Sequence, residues 1–137
     1  MKEFKEFSIE SKLKLSKILE RIEIDINKKD TLELLDSFHR KGSGHVIGIT
    51  GPPGVGKSSI INKLISSFRD LDSSIAVLAI DPSSMRSGGA LLGDRARFDI
   101  DPSDAKVFVR SMAAKDYLGG ISELTYPYMA VMRSIFD

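Results

Sequence analysis

One glycine-rich segment contains the residue types, at the spacing, that could do chemistry. It runs from Gly51 to Ser58 and matches the pattern of glycine, four residues and Gly-Lys-Ser that cradles nucleotide phosphates. Its glycines allow sharp turns that bring backbone amides to phosphate oxygens, and a helix that begins there favours the same anion. The segment predicts a nucleotide phosphate site, and a glycine-rich turn that only caps a helix is the alternative. The predicted contacts are Gly51, Pro52, Pro53, Gly54, Val55, Gly56, Lys57, Ser58 and Ser59.

Two side chains at the end of this segment have distinct predicted roles. The ammonium of Lys57 can reach the β- and γ-phosphates, and the hydroxyl of Ser58 can ligate Mg²⁺. An aspartate, Asp81, closes the apolar run 75–80 further along the chain. Because parallel sheets place their ligands at the carboxyl ends of strands, its carboxylate is predicted to serve the Mg²⁺ site as a Walker B element. The alternative is that Asp81 caps the turn Asp81–Ser84.

A third region, Arg86–Arg97, combines glycines with charged residues that include Asp94. This composition is typical of a nucleotide switch and equally of an ordinary surface loop, so both interpretations stay open. His39 and His45 have no carboxylate or histidine partner at a useful spacing, so no metal site is predicted from them.

The elements that must position these residues alternate between strands and helices. Val46–Thr50 and the run 75–80 are apolar and are predicted strands, and 106–110 is a third candidate. Apolar residues recur at helical spacing between the first two, which makes a βαβ unit with a right-handed crossover. A long loop is predicted over 82–104. A last helix is predicted up to Ile135, kinked or restarted by Pro127.

Residues 8–40 are predicted to be helical. The first helix has Leu15, Ile18, Leu19, Ile22 and Ile26 at helical spacing, and a second is predicted to begin at Asp30 as its N-cap. The inward face of the second would be Leu32, Leu35 and Phe38. The fold class is therefore α/β, with a mostly parallel sheet flanked by helices and preceded by a helical extension.

Composition narrows the class of protein. The 137 residues suit one domain, and 20 basic against 19 acidic side chains leave no excess for nucleic acid or an anionic membrane. The absence of cysteine excludes disulfides and thiolate metal sites. No signal peptide and no apolar run of about 20 residues is present, which predicts a cytoplasmic protein without a membrane partner.

Four segments together resemble one family. Gly48–Ser58, Val77–Ser84, Ser87–Arg97 and Leu118–Gly120 are similar to the MeaB/ArgK family of P-loop GTPases, which are associated with methylmalonyl-CoA mutase. The phosphate loop is shared by many NTPases, whereas the Asp-Pro-Ser-Ser segment followed by Gly-Gly and Gly-Asp-Arg is more specific. The resemblance extends over nearly the whole chain and includes its helical lead-in.

The resemblance implies a function and roles for single residues. It implies Mg²⁺-dependent hydrolysis of GTP, used to protect an adenosylcobalamin-dependent methylmalonyl-CoA mutase and gate its cofactor loading, by a protein that is typically a homodimer. Lys57 would act on the phosphates as a catalytic residue. Ser58, Asp81 and Asp94 would surround Mg²⁺, and Asp94 would be a catalytic switch residue near the metal or the attacking water.

The resemblance also implies a domain organisation. Residues 1–44 would form the helical extension and 45–137 the N-terminal part of a P-loop NTPase domain. In the family, a strand carrying a glutamate (Walker B and switch II) and the Asn-Lys-x-Asp element that reads guanine come after the position of Asp137. The sheet is thus expected to be incomplete, with Val46–Thr50 lacking a neighbouring strand.

Two alternative functions stay open. One is an ATP-dependent kinase or ATPase linked to arginine/ornithine transport, and the other is a non-hydrolysing nucleotide-binding module.

Overall fold

The fold is a layer of helices packed on a short parallel sheet. The computed structural model describes residues 7–81, 98–113 and 122–137. Its elements in chain order are α1 (Ile9–Asp25), α2 (Lys29–Lys41), α3 (Lys57–Asp70), β1 (Ile75–Asp81), β2 (Val107–Ala113) and α4 (Thr125–Arg133). The chain is therefore a mixed α/β structure. The division at residue 44 into two domains stays a prediction.

The two strands of the described sheet pair in parallel. β1 and β2 align from Ile75 opposite Val107 to Asp81 opposite Ala113. The predicted strands at 75–80 and 106–110 are thus confirmed, with the second displaced towards its C-terminus. Parallel pairing brings the carboxyl ends of both strands to one edge of the sheet.

The predicted strand Val46–Thr50 is wrong in this structure, because residues 42–50 form neither strand nor helix. The side chains of Val46 and Ile47 are 52% and 61% exposed. A strand is stabilised by ladder hydrogen bonds to a neighbour. β1 pairs with β2, and no described strand pairs with this segment. Apolar sequence alone does not make this segment a strand, and the predicted βαβ unit is not formed.

The helices agree with their apolar spacing, with two corrections. In α1, Leu15, Leu19 and Ile22 are buried as predicted, and the N-cap hydroxyl of Ser8 accepts a hydrogen bond from the Ser11 N–H at 3.1 Å. In α2, however, the N-cap is Lys28 without a side-chain cap, so the predicted cap at Asp30 is wrong. Asp30 instead lies in the first turn, where its negative charge suits the helix dipole.

The inward face of α2 also differs from the prediction. Phe38 is buried, but Leu32 is 51% exposed and Thr31 is completely buried. Leu35 packs against the core with Phe38 as predicted, so only the assignment of Leu32 is wrong, and Thr31 takes the inward position beside it. In α4, Pro127 is the third helical residue. Its missing N–H has no intrahelical acceptor in the first turn, so the helix begins just before the proline and is not kinked by it.

The core lies between α1, α2, α4 and β2. Its buried members are Leu15, Leu19, Ile22, Phe38, Phe108, Met112, Tyr128, Val131, Met132 and Phe136. Among the described helices, none is long and apolar enough to cross a membrane.

Candidate functional site

The phosphate-loop segment forms an exposed turn directly before α3. Gly51, Gly54 and Gly56 have φ values of 150°, 80° and 92°, a region that L-residues with a Cβ rarely adopt. Gly56 is the left-handed N-cap of α3. The two glycines that the motif requires, Gly51 and Gly56, and the additional Gly54 are thus the residues whose backbone conformations depend on the absence of a side chain.

The side chain of Lys57 folds back over this loop. Its ammonium Nζ donates hydrogen bonds to the carbonyl oxygens of Gly51, at 2.8 Å, and Pro52, at 2.7 Å. These contacts hold a positive charge against the backbone of the loop. An anion that approaches the loop from solvent therefore meets a full positive charge as well as backbone dipoles.

The first turn of α3 adds donors to the same place. The Ile60 N–H donates to the Gly56 carbonyl at 3.0 Å, which is the first bond of the helix. The N–H groups of Lys57, Ser58 and Ser59 consequently have no acceptor within the helix. The first turn contains no acidic side chain to occupy them. Loop and helix together form a positively polarised, solvent-accessible concentration of donors, which is what binding of phosphate oxygens requires.

The other predicted site residues are described less completely. Ser58 is the second residue of α3 and half-buried, and Ser59 is exposed. Asp81 is the last residue of β1, at the carboxyl edge of the sheet, and its side chain is outside the described part of the structure. Asp94 and the whole of Arg86–Arg97 also lie outside the described residues.

No group of three potential metal-ligating side chains comes together among the residues that the structure describes. His39 and His45 are both exposed on the surface. The assignments of Ser58, Asp81 and Asp94 to Mg²⁺ and of Lys57 and Asp94 to catalysis therefore stay predictions.

An ion pair that sequence reasoning missed anchors α3 at its far end. The guanidinium of Arg69 donates through Nε to Asp104 Oδ2 at 2.7 Å and through Nη1 to the Ser73 carbonyl at 2.9 Å. Asp104 also accepts from the backbone N–H of Lys106 at 2.9 Å. Its carbonyl accepts from Lys12 Nζ of α1 at 2.6 Å. No local pattern could have revealed the contacts of Asp104 with Arg69 and with Lys12, which lie far from it in the sequence.

The charge of Asp104 is stabilised by these contacts. Partial burial acts to raise the pKa of its carboxyl group, but the hydrogen bonds from Arg69 and the Lys106 N–H outweigh burial and lower the pKa below its usual value. The carboxylate is therefore charged at neutral pH and holds α3 against the chain that leads into β2.

Comparison with known proteins is decisive for the family. The family described as methylmalonyl Co-A mutase-associated GTPase MeaB matches residues 15–137. The chain belongs to the MeaB family. This match includes the phosphate loop, α3, both strands and α4, so the resemblance carried by the sequence motifs is confirmed.

Three relatives show to which kinds of protein this chain is similar. A protein of Pyrococcus horikoshii that is named a GTPase is 41% identical over 111 residues, which cover 81% of this chain and 35% of the relative. A similarly named protein of Mycobacterium bovis is 40% identical over 101 residues, covering 74% of this chain and 30% of the relative. The fused isobutyryl-CoA mutase of Paraburkholderia xenovorans is 45% identical over 107 residues, covering 73% of this chain and 8% of the relative. This MeaB-family chain thus spans about a third of the stand-alone relatives.

Proposed function

We propose that this chain is the phosphate-binding part of a Mg²⁺-dependent GTPase with the incomplete P-loop NTPase fold that the family implies. The observation that carries the proposal is the loop Gly51–Gly56, with three positive-φ glycines, the Lys57 ammonium on its carbonyls and the open first turn of α3. The reaction would be the transfer of the γ-phosphoryl group of GTP to water, which yields GDP and phosphate. Guanine as the base is supported by the names of the relatives.

Different residues of this chain would bind the phosphates, neutralise their charge and ligate the metal. Backbone N–H groups of the loop and of the first turn of α3 would bind the phosphate oxygens, and Lys57 would neutralise the charge that develops as the phosphoryl group is transferred. Ser58, Asp81 and Asp94 supply a hydroxyl and two carboxylates, which are oxygen ligands suited to Mg²⁺. When bound, the metal would neutralise the phosphate oxygens. Asp94 is proposed to act in turnover more than in binding.

The partner proposal rests on the fused relatives. In the Paraburkholderia xenovorans and Cupriavidus metallidurans proteins, sequence 45% and 41% identical to this chain lies in one polypeptide named a fused isobutyryl-CoA mutase. Fusion keeps two proteins at a high effective concentration, which favours pairs that act together. We therefore propose a cytoplasmic protein that, as a homodimer, acts as a chaperone and gatekeeper for an adenosylcobalamin-dependent mutase such as methylmalonyl-CoA mutase.

The test of the nucleotide site is a titration of the chain with a fluorescent GDP in the presence of Mg²⁺, followed by competition with GTP and with ATP. Preferential displacement by GTP supports the proposal, and equal displacement favours an ATP-dependent kinase or ATPase. Release of phosphate over many turnovers distinguishes a GTPase from a module that only binds nucleotide.

Lys57→Ala tests the loop itself. It removes the ammonium that faces the phosphates, and affinity for the fluorescent GDP is expected to fall by about 100-fold, the scale of one or two charge-assisted hydrogen bonds. Lys63→Ala is the matched control, because Lys63 is an exposed lysine of the same helix. Equal binding by both variants would contradict the phosphate-loop assignment.

A further inference from the structure

The last turn of α4 is hydrogen-bonded to the segment that leads into the phosphate loop. The carbonyl oxygen of Arg133 accepts hydrogen bonds from the N–H groups of Ser43, at 3.0 Å, and Gly44, at 2.9 Å. In return, the guanidinium Nε of Arg133 donates to the Gly44 carbonyl at 2.9 Å. We call these three residues the Arg133 clasp. Through these bonds, one residue of α4 fixes three successive peptide groups.

The fit of this clasp tolerates only glycine at its centre. A Cβ on Gly44 would lie 2.2 Å from the carbonyl oxygen of Phe136 and 3.1 Å from that of Arg133. Next to it, the His45 N–H donates to the Asp137 carbonyl at 2.8 Å. The backbone of 43–45 is therefore packed directly against the end of α4 and the residues that follow it, up to Asp137.

The position of the clasp in the chain gives it a consequence for the loop. Residues 46–50 form no strand or helix, and Val46 and Ile47 are exposed. Between the clasp and Gly51 the described structure offers no ladder that could set the path of the chain. α4, in contrast, is fixed in the core by Tyr128 and Val131, which are 1% and 0% exposed. The clasp and the adjacent hydrogen bond from His45 to Asp137 are thus the contacts through which the core holds the chain before it leaves towards the phosphate loop.

We propose that Arg133 is a positioning residue for the phosphate loop. By fixing the carbonyl of Gly44, its Nε–H sets the direction in which 45–50 leaves the core, and so the placement of the amides of Gly51–Gly56. The proposal rests on the anion-binding role proposed for that loop. Arg133 itself touches no reacting group and acts only through the backbone.

Two isosteric variants separate the hydrogen bond from the packing of the side chain. Arg133→Gln places an amide N–H at the same number of bonds from the backbone as Nε, so the donor to Gly44 is kept while the charge is lost. Arg133→Met places a methyl group there, so the apolar stem is kept while the donor is lost. Arg40→Met is the control, because Arg40 is an exposed arginine of α2 whose ion-pair partner is Asp36 of the same helix.

The experiment is hydrogen exchange of the intact chain, together with binding of fluorescent GDP. In Arg133→Met, the hydrogen-bonded amides of Ser43, Gly44 and His45 are expected to exchange about fivefold faster and the nucleotide to bind about fivefold more weakly, as suits the loss of one hydrogen bond. Amides of α1 should be unchanged. Arg133→Gln should stay within about twofold of the parent chain in both measurements, and so should Arg40→Met.

Contrary results have distinct meanings. Equal exchange in Arg133→Met and Arg133→Gln would overturn the proposal, and so would acceleration that extends equally to α1, because that reports general loosening. If the parent chain binds no guanine nucleotide, the proposed function fails, and the exchange of 43–45 still decides whether the Arg133 side chain fixes the chain that leads into the loop.

Discussion

The helical core and the surroundings of the phosphate loop are built in opposite ways. In the core, Leu19 and Val131 are completely buried. Around the loop, Val46 and Ile60 are 52% and 53% exposed, and Ile65 is the one buried residue of α3. The core is held by apolar burial, whereas the loop is shaped by glycine conformations and by a few hydrogen bonds. Folding and ligand binding should therefore respond to different substitutions.

The largest expected loss of stability comes from a substitution in the core. Leu19→Ala leaves a cavity in a fully buried position and is expected to lower the free energy of unfolding by about 3 kcal/mol. Ile60→Ala removes a side chain that is 53% exposed and lies outside the core, and a change within about 0.5 kcal/mol is expected. Urea denaturation followed by circular dichroism compares the two, and losses of equal size would show that the two regions do not differ in this way.

A smaller effect is expected at the loop. Gly56→Ala forces a residue with a Cβ into φ 92°. This is expected to cost about 1 kcal/mol of stability, or to be relieved by a shift of the loop that weakens binding of fluorescent GDP. Gly48→Ala is its control, because a Cβ there would meet nothing within 4 Å. If both variants fold and bind like the parent chain, the left-handed conformation of Gly56 is not required.

An effect of similar size concerns the charges that hold α3. Asp104→Asn weakens the contact with Arg69 and is expected to cost about 1 kcal/mol at neutral pH. Asp70→Asn, at an exposed aspartate at the end of α3, should cost nothing measurable. Urea midpoints of both variants at neutral pH make this comparison.

The pH dependence follows from two lowered carboxyl pKa values. The pKa of Asp104 is lowered as described, and that of Asp137 is lowered by hydrogen bonds from the backbone and hydroxyl of Ser74. Because the unfolded chain takes up these protons first, stability is complete above about pH 4 and falls as the pH drops through the lower folded values. Asp104→Asn should show less of this loss, and an equal loss would place its origin elsewhere.

The sequence was sufficient where the information is local. Apolar spacing predicted α1 and the two paired strands, because burial on one side of an element leaves a regular pattern. The shape of Gly51–Gly56 was also predictable, since the glycines of the motif are there for their backbone conformations. The loop is thus the part of the candidate site that the sequence describes best.

The sequence was insufficient where the structure of a segment depends on a partner far away in the chain. Val46–Thr50 has the composition of a strand, but pairing depends on a neighbour that local sequence does not specify. The contacts of Arg69 with Asp104 and of Arg133 with Gly44 join residues far apart in the chain, and no motif marks them. They became visible only when the fold brought those residues together.

The burial of Tyr128 provides an optical probe of the helical core. Its hydroxyl donates to the Leu19 carbonyl at 3.1 Å and lies 3.3 Å from a carboxylate oxygen of Glu23. Burial above all, together with the charge of Glu23, raises its pKa to about 12. Because tyrosine in the unfolded chain ionises near pH 10, alkali should unfold the core as the pH rises between about 10 and 12.

Ultraviolet absorption of the phenolate would follow that transition directly. The sequence has no tryptophan, and the tyrosines in the described ranges, Tyr126 and Tyr128, both belong to α4. Tyr126 is 67% exposed whereas Tyr128 is buried, so it is the absorption of Tyr128 that reports whether the helical core is intact. Events at the phosphate loop are best followed through the fluorescence of the nucleotide, so the two regions can be observed independently in one sample.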